Sequence, residues 1–417
     1  MNYSERLRLD APVGRAARAR ISRLTKHAFF NAPWAFIASL SHGLSSYLIM
    51  LLLGHYYGLA ASGQFRLLTA IVGTLSIFTL VDSGKVVVKY LIMGRTGVVR
   101  PIFMQRIRWG LLGTAAGLIT AAVLYYRGDD LWLPLTVAAV LLPLTMSADL
   151  YGQINQARSQ FRLNALYSVI KYFSLVFLVP LGAVLNLGVQ YVLIGYSVLR
   201  TAYTLLFISF HPETYEKETE EAKEYRKQSL QLSGSGMFAI LMEHADKFLI
   251  SYFFGMEALG LYAIGVSTGR LLLNLVKPMM TIYFNHFVNH RPSTSMLVAT
   301  FLVLTGVGVG VAFTMEPYFA YVLSPIYFAA YPMAAIIVAG LGIYCVQVVM
   351  FYSAIYHKST KMVVPTLVNL IVAALTVVYL CAAIYWGGQH ALLLCAASYP
   401  LRDALVLILV PLLSRRF

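Results

Sequence analysis

Charged side chains stand inside long apolar runs of this chain, and their types and spacing define the chemistry open to it. Asp82, Lys85 and Lys89 fall at i, i+3 and i+7 in one run, the repeat of a single helix face. Lys171 and Arg200 each stand alone in a run, Glu243, Asp246 and Lys247 cluster in another, Arg270 and Lys277 lie one heptad apart, and Arg402 adjoins Asp403. An ionised group at bilayer depth costs at least about 2.5–3.5 kcal/mol, so each must face protein, water or a ligand. Lys85, Lys171, Arg200, Arg270, Lys277 and Arg402 are candidate contacts to an anion, Arg through forked donors and Lys as a point charge. Asp82, Glu243 and Asp246 are candidate titrating or ion-binding carboxylates.

The competing reading is that these groups pair internally, Glu243 with Lys247 or Arg402 with Asp403, and hold helices in register. Lys89 and Asp149 lie near span ends, where snorkelling accounts for them. Across the set, the deep cations, Lys247 included, outnumber Asp82, Glu243, Asp246 and Asp403, leaving a positive surplus that pairing among them does not cancel. Such an interior wants an anion. Tyr47, Tyr172 and Tyr262 are read as packing or interfacial residues. Cys345, Cys381 and Cys395 have neither metal-site spacing nor acidic or histidine neighbours, and no Ser/His/Asp or paired-carboxylate constellation suggests an enzyme. No GxxxxGK[ST] loop is present, so transport energy is expected from a proton or sodium ion or from downhill exchange, with no resident cofactor.

The elements that position these residues follow from composition. Of 417 residues 59% are hydrophobic and only 12% charged, against about a quarter charged in soluble domains. Apolar runs of spanning length recur near 33–56, 62–92, 108–126, 131–153, 163–185, 187–210, 232–254, 258–287, 296–315, 325–355, 363–385 and 391–412. The net charge of +15 is concentrated in alternate connections, among them those holding Arg95, Arg100, Arg106 and Arg108, then Arg291, then Lys358 and Lys361, with Arg127 and Arg66 as exceptions, so it is a topology signal and not a nucleic-acid footprint. This places both termini in the cytoplasm. The expected organisation is a basic cytoplasmic tail over 1–30, an N-lobe of six spans over 31–210, a charged cytoplasmic linker or short helix over 211–229 without an apolar face, and a C-lobe of six spans over 230–417.

The halves repeat. Gly58-x4-Gly63-x-Phe65 parallels Gly255-x4-Gly260-x-Tyr262 at a shift of 197, Ile154 parallels Ile355 at 201, and Arg200 parallels Arg402 at 202. Glycines suit tight turns between antiparallel spans, and an even number of spans between copies makes the repeats parallel. The expected fold is therefore all-α, about twelve membrane helices in two pseudo-symmetric six-helix lobes around a central cavity.

The glycine turns, the phrase DKFLISYFFG opened by Asp246 and Lys247, and the basic loop between spans 4 and 5 resemble the polysaccharide flippase family, O-antigen type, of the multidrug/oligosaccharidyl-lipid/polysaccharide exporter superfamily. The resemblance implies alternating access and translocation of an undecaprenyl-pyrophosphate-linked oligosaccharide to the periplasmic leaflet of a bacterial inner membrane, amid membrane lipids and other polysaccharide-assembly proteins. It also implies that spans 1, 2, 7 and 8 line the cavity, which favours Arg270 and Lys277 for the pyrophosphate. A multidrug or organic-cation antiporter of the same superfamily is the alternative, disfavoured because a cationic substrate would need acids in surplus. A membrane polymerase or ligase would bring a large outside loop, and every outside connection is short.

Overall fold

The computed structural model describes residues 33–214, 221–282, 293–356 and 363–414, and helix is the only regular structure among them. The first helix, α1 (Pro33–Tyr57), opens on a proline, whose fixed φ and missing N–H suit a first helical position. It ends at Gly58, at φ 88° and ψ 165°, and α2 (Leu59–Leu75) follows directly. The same device recurs in the second half. Helix α9 (Ala222–Ile282) is interrupted at Gly255, at φ 82° and ψ −177°. Both positive φ values lie where a Cβ would be strained, and the two glycines are the pair matched by the internal repeat.

Gly255 reverses the chain. On a straight helix Glu243 and Arg270 would stand about 40 Å apart, yet Arg270 Nη1 lies 3.1 Å from Glu243 Oε1. Tyr262 likewise reaches back to Asp246. The two limbs of α9 thus form an antiparallel hairpin. Among the described residues ten helices, or eleven with one bent pair, are long and apolar enough to cross a membrane when the stretch Ala222–Leu273 is taken as one. At 52 residues that stretch would run about 78 Å, more than twice a hydrocarbon core. Divided at Gly255 it supplies two spans, and the twelve expected spans are recovered.

The bent pair is α11 (Tyr331–Ala339) with its preceding 3-10 turn and α12 (Leu341–Tyr356), which meet at 46°. At the bend a methyl group on Gly340 would come within 2.8 Å of Pro400 Cβ, so glycine there permits close approach of the last helix. The remaining helices are α3 (Gly84–Ile92), α4 (Val99–Tyr126), α5 (Trp132–Ala148), α6 (Leu150–Ala157), α7 (Phe161–Val184), α8 (Val189–Ser209), α10 (Thr294–Pro317), α13 (Val363–Trp386) and α14 (Ala391–Ser414). Ser293 caps α10, its Oγ accepting from Met296 N at 3.3 Å. Much of α10 is open, with Leu302, Val303 and Phe313 exposed, as a lipid-facing helix requires.

Two expectations change. The run over 62–92 is not one helix. Ser76 and Thr79 hydroxyls bond back to the carbonyls of Gly73 and Ser76, the end of α2 tightens into 3-10 turns, and Leu80 takes φ 53° before α3 begins. Arg106, assigned by sequence to a basic loop, is instead buried on α4 against this break. Its Nε donates to Ser83 Oγ at 2.7 Å, Nη1 to Met146 O at 2.9 Å and Nη2 to Val81 O at 2.6 Å, satisfying carbonyls near the interruption. Asp82 consequently lies in a 3-10 turn outside α3, and the single face proposed for Asp82, Lys85 and Lys89 does not exist as a continuous helix.

The linker also differs. Its second half is the start of α9, where Ala222, Tyr225 and Ser229 bury a narrow stripe. Tyr90 donates to Glu224 at 3.0 Å, Gln228 donates to Tyr90 at 2.8 Å, and Arg95 pairs with Glu221 at 2.8 Å, fastening the linker end to the N-lobe. The tail over 1–30, linker residues 215–220 and the connections holding Arg291, Lys358 and Lys361 lie outside the described residues.

The lobes meet along α2 and α9, whose first limb runs antiparallel to α2 and whose second limb joins the contact just after Gly255. Gly63 lies against Met256, Gly73 against the His244 ring, and Asp82 against Gly236. Gly260 lies against Leu59 O. Leu59 and Met256 are themselves one repeat apart, so this end of the seam is self-complementary, as in a two-fold dimer interface.

Candidate functional site

Two ionic clusters stand within the helices. In the N-lobe, Asp149, at the junction of α5 and α6, is shared. Lys171 on α7 approaches its Oδ1 at 3.1 Å, and Arg200 on α8 approaches its Oδ2 at 3.6 Å. Lys171 is buried, with Nζ 5.0 Å from the Tyr151 ring centroid and 4.7 Å from that of Tyr172, so aromatic faces complete its surroundings. Asp149 is therefore no snorkelling end residue but the common acceptor of two predicted cations.

The C-lobe cluster is larger. Glu243, Asp246 and Lys247 come from the first limb of α9, Tyr262 and Arg270 from the second, and Tyr399, Arg402 and Asp403 from α14. Buried Asp246 accepts from Lys247 Nζ at 2.7 Å, Tyr262 OH at 2.7 Å and Tyr399 OH at 2.9 Å. Lys247 Nζ also donates to Tyr399 OH at 2.9 Å and to Glu243 O. Arg270 holds Glu243, and Arg402 lies 3.6 Å from Asp403. Tyr399 is the hub, with Lys247, Arg270 and Arg402 between 5.2 and 5.6 Å from its ring centroid.

The predicted residues divide accordingly. Lys171 and Arg200 come together in one lobe, and Arg270 with Glu243, Asp246 and Arg402 in the other. Lys85 is set apart, its side chain 52% exposed and paired with Asp82 at 2.8 Å. Lys277 falls on the second limb of α9, but its side chain lies outside the described residues. Arg200 and Arg402, matched by the repeat, each line a crevice in their own lobe, the first with Leu68, Thr145 and Tyr196, the second with Met242, Thr376 and Tyr399. Their carboxylate partners are not equivalent.

Internal pairing absorbs most of the surplus read from sequence, because Asp149 joins the acids. It does not absorb all of it. Asp149 serves two cations, and Arg66 on α2 has no carboxylate within ion-pair distance among the described residues and leaves its buried Nε without a hydrogen bond. Arg66 shares a helix face with Gly63 and Gly73 by i+3 and i+7 spacing, the face that meets the other lobe. His244, on the opposing limb, has a buried Nδ1 that is also unpartnered. The signal for Arg66 was visible: it breaks the alternation of basic connections. Among the described residues no group of three His, Cys, Asp or Glu side chains could hold a metal ion.

These features define a multi-pass membrane protein of two lobes with charged clusters inside each. Residues 63–287, more than half of the chain, match the family described as polysaccharide biosynthesis protein, and the chain belongs to that family. A comparison with curated proteins finds no match. Solved structures of similar fold include a MATE transporter from Vibrio cholerae, with 15% identity, a TM-score of 0.60 and coverage of 95% of this chain and 97% of that one. A multidrug-resistance MATE transporter in an inward-facing conformation shares 12% identity, with a TM-score of 0.64 and coverage of 91% and 94%. A MOP-superfamily transporter from Pyrococcus furiosus with a binding pocket of reverse polarity shares 12% identity at a TM-score of 0.63, covering 94% of this chain and 95% of that one.

Proposed function

We propose that this protein flips an undecaprenyl-pyrophosphate-linked glycan from the cytoplasmic to the periplasmic leaflet of a bacterial inner membrane, with both termini cytoplasmic. Family membership supports a role in polysaccharide assembly. The observation that carries the substrate class is the uncancelled intramembrane positive charge, with Asp149 shared by two cations and Arg66 held by none. An organic-cation antiporter would need free acids, and Asp82, Asp149, Glu243, Asp246 and Asp403 each hold a cation.

The lobes rock about their shared seam. Arg66 and Arg270 receive the pyrophosphate between the lobes, Lys171, Arg200 and Arg402 hold the field positive from within each lobe, and Lys277 extends the Arg270 face by one heptad. Glu243, with a side chain 44% exposed, competes with the substrate for Arg270. Protonation of Glu243 frees the guanidinium to grip phosphate, and loss of the proton returns Arg270 to the carboxylate and releases the anion. Proton coupling arises from that competition.

Reconstituted vesicles carrying undecaprenyl-pyrophosphate disaccharide, treated outside with an impermeant glycosidase, test the reading. Vesicles with the protein should lose nearly the whole glycan pool and empty vesicles about half. Equal cleavage in both would reject the reading.

A further inference from the structure

Asp246 is the most completely coordinated carboxylate among the described residues, and its cation is part of the chain. We propose that the Lys247 ammonium acts as a tethered cation, filling an oxygen site that would otherwise take an exchangeable monovalent cation, so that the C-lobe completes its cycle without binding sodium. The inference rests on the reading of the chain as a transporter but not on the identity of its substrate.

The ammonium's donors are all used. An ammonium has three N–H donors and no acceptor, and Lys247 directs them to Asp246 Oδ1, Tyr399 OH and the Glu243 carbonyl. Tyr399 accepts from Lys247 and donates to Asp246 Oδ2, which also receives Tyr262 OH. A carboxylate, a phenol oxygen and a backbone carbonyl around one positive centre are the hard oxygen ligands that an alkali or alkaline-earth cation takes. Here the centre is nitrogen, carried on the residue after the carboxylate. Lys247 is 0% and Asp246 3% exposed, so neither shares its charge with bulk solvent, and the ammonium occupies the centre that an incoming ion would need.

The site also ties three elements together. Asp246 and Lys247 lie on the first limb of α9, Tyr262 on the second and Tyr399 on α14. A sodium ion that came and went would loosen and re-form this junction in each cycle. A covalently attached ammonium keeps it closed throughout, leaving the Glu243–Arg270 pair as the changeable contact of the lobe.

Thermal unfolding of the purified protein in detergent, in sodium chloride against choline chloride at equal ionic strength, tests this without substrate. The native protein should show the same midpoint in both salts. Lys247→Ala, which opens the cage and leaves Asp246 charged, should unfold at a lower midpoint that sodium raises by about 2–4 °C over choline. Lys247→Met, which fills the space with an apolar chain, should show no difference between the salts. A sodium-specific rise in the native protein that Asp246→Asn removes would overturn the proposal, and that arm needs no lysine variant to fold. Identical midpoints for folded Lys247→Ala in the two salts would overturn it as well. Either result leaves the glycosidase test of flipping untouched.

Discussion

Gly63 and Gly260 occupy matching positions in the two halves, and each is pressed against the backbone of the opposite lobe: a methyl group on Gly63 would run into Met256 O, and one on Gly260 into Leu59 O. The contact sits beside the Gly58 and Gly255 turns, at the end of the seam away from the docked linker. The lobes are closed at this end.

Gly63→Ala and Gly260→Ala should hold that end apart. Overpacking against backbone costs about 1–3 kcal/mol, enough to shift a two-state equilibrium roughly 5- to 150-fold toward the separated form. Disulfide trapping between cysteines introduced on either side of the seam should fall in each variant. Gly234→Ala, whose added methyl meets nothing within 4 Å, should trap as efficiently as the native chain.

Arg106 governs the interruption between α2 and α3. Arg106→Ala leaves Val81 and Met146 carbonyls buried without their donor and should lower stability by about 3–5 kcal/mol. Arg106→Lys keeps the charge but not the fork, and its unfolding midpoint should fall between the two.

Asp149→Asn removes the only acid paired with Lys171 and Arg200 among the described residues, leaving buried Lys171 unpaired and lowering the unfolding midpoint sharply, by about 3–5 kcal/mol in stability. Adding Lys171→Met should recover part of the loss, since the uncompensated buried charge is then gone. A double-mutant cycle measures that coupling, and strict additivity would show that the two side chains act separately.

Glu243→Gln removes the competitor for Arg270. Substrate binding should tighten, and transport should lose its dependence on a pH gradient, read as flipping rates in vesicles with and without the gradient. A variant that stays gradient-dependent would place coupling elsewhere.

The spans, the repeat and both glycine turns were legible because hydrophobic length, the alternation of basic connections and the need for positive φ all act locally. The interruption after α2 was not: Ser76, Thr79 and Leu80 carry no Pro or Gly, and the break depends on Arg106 from another helix. Arg106 itself was read as a loop residue because a cation near a span end looks the same whether it snorkels to water or turns inward onto carbonyls. The candidate site was legible as a set of residues but not as partners. Asp149 gathers cations from α7 and α8, and Tyr399 gathers Lys247 and Arg270 from α9, contacts made only by the tertiary fold.

The central claim is that uncancelled charge between the lobes recognises an anionic lipid headgroup. Binding of undecaprenyl pyrophosphate to the purified protein, set against undecaprenol, tests it most directly at Arg66 and Arg270. Arg66→Glu and Arg270→Glu should each weaken pyrophosphate binding by about tenfold or more, a loss of at least about 1.4 kcal/mol, while leaving undecaprenol binding unchanged. Equal pyrophosphate affinity in the native protein and in both charge-reversed variants would contradict the account.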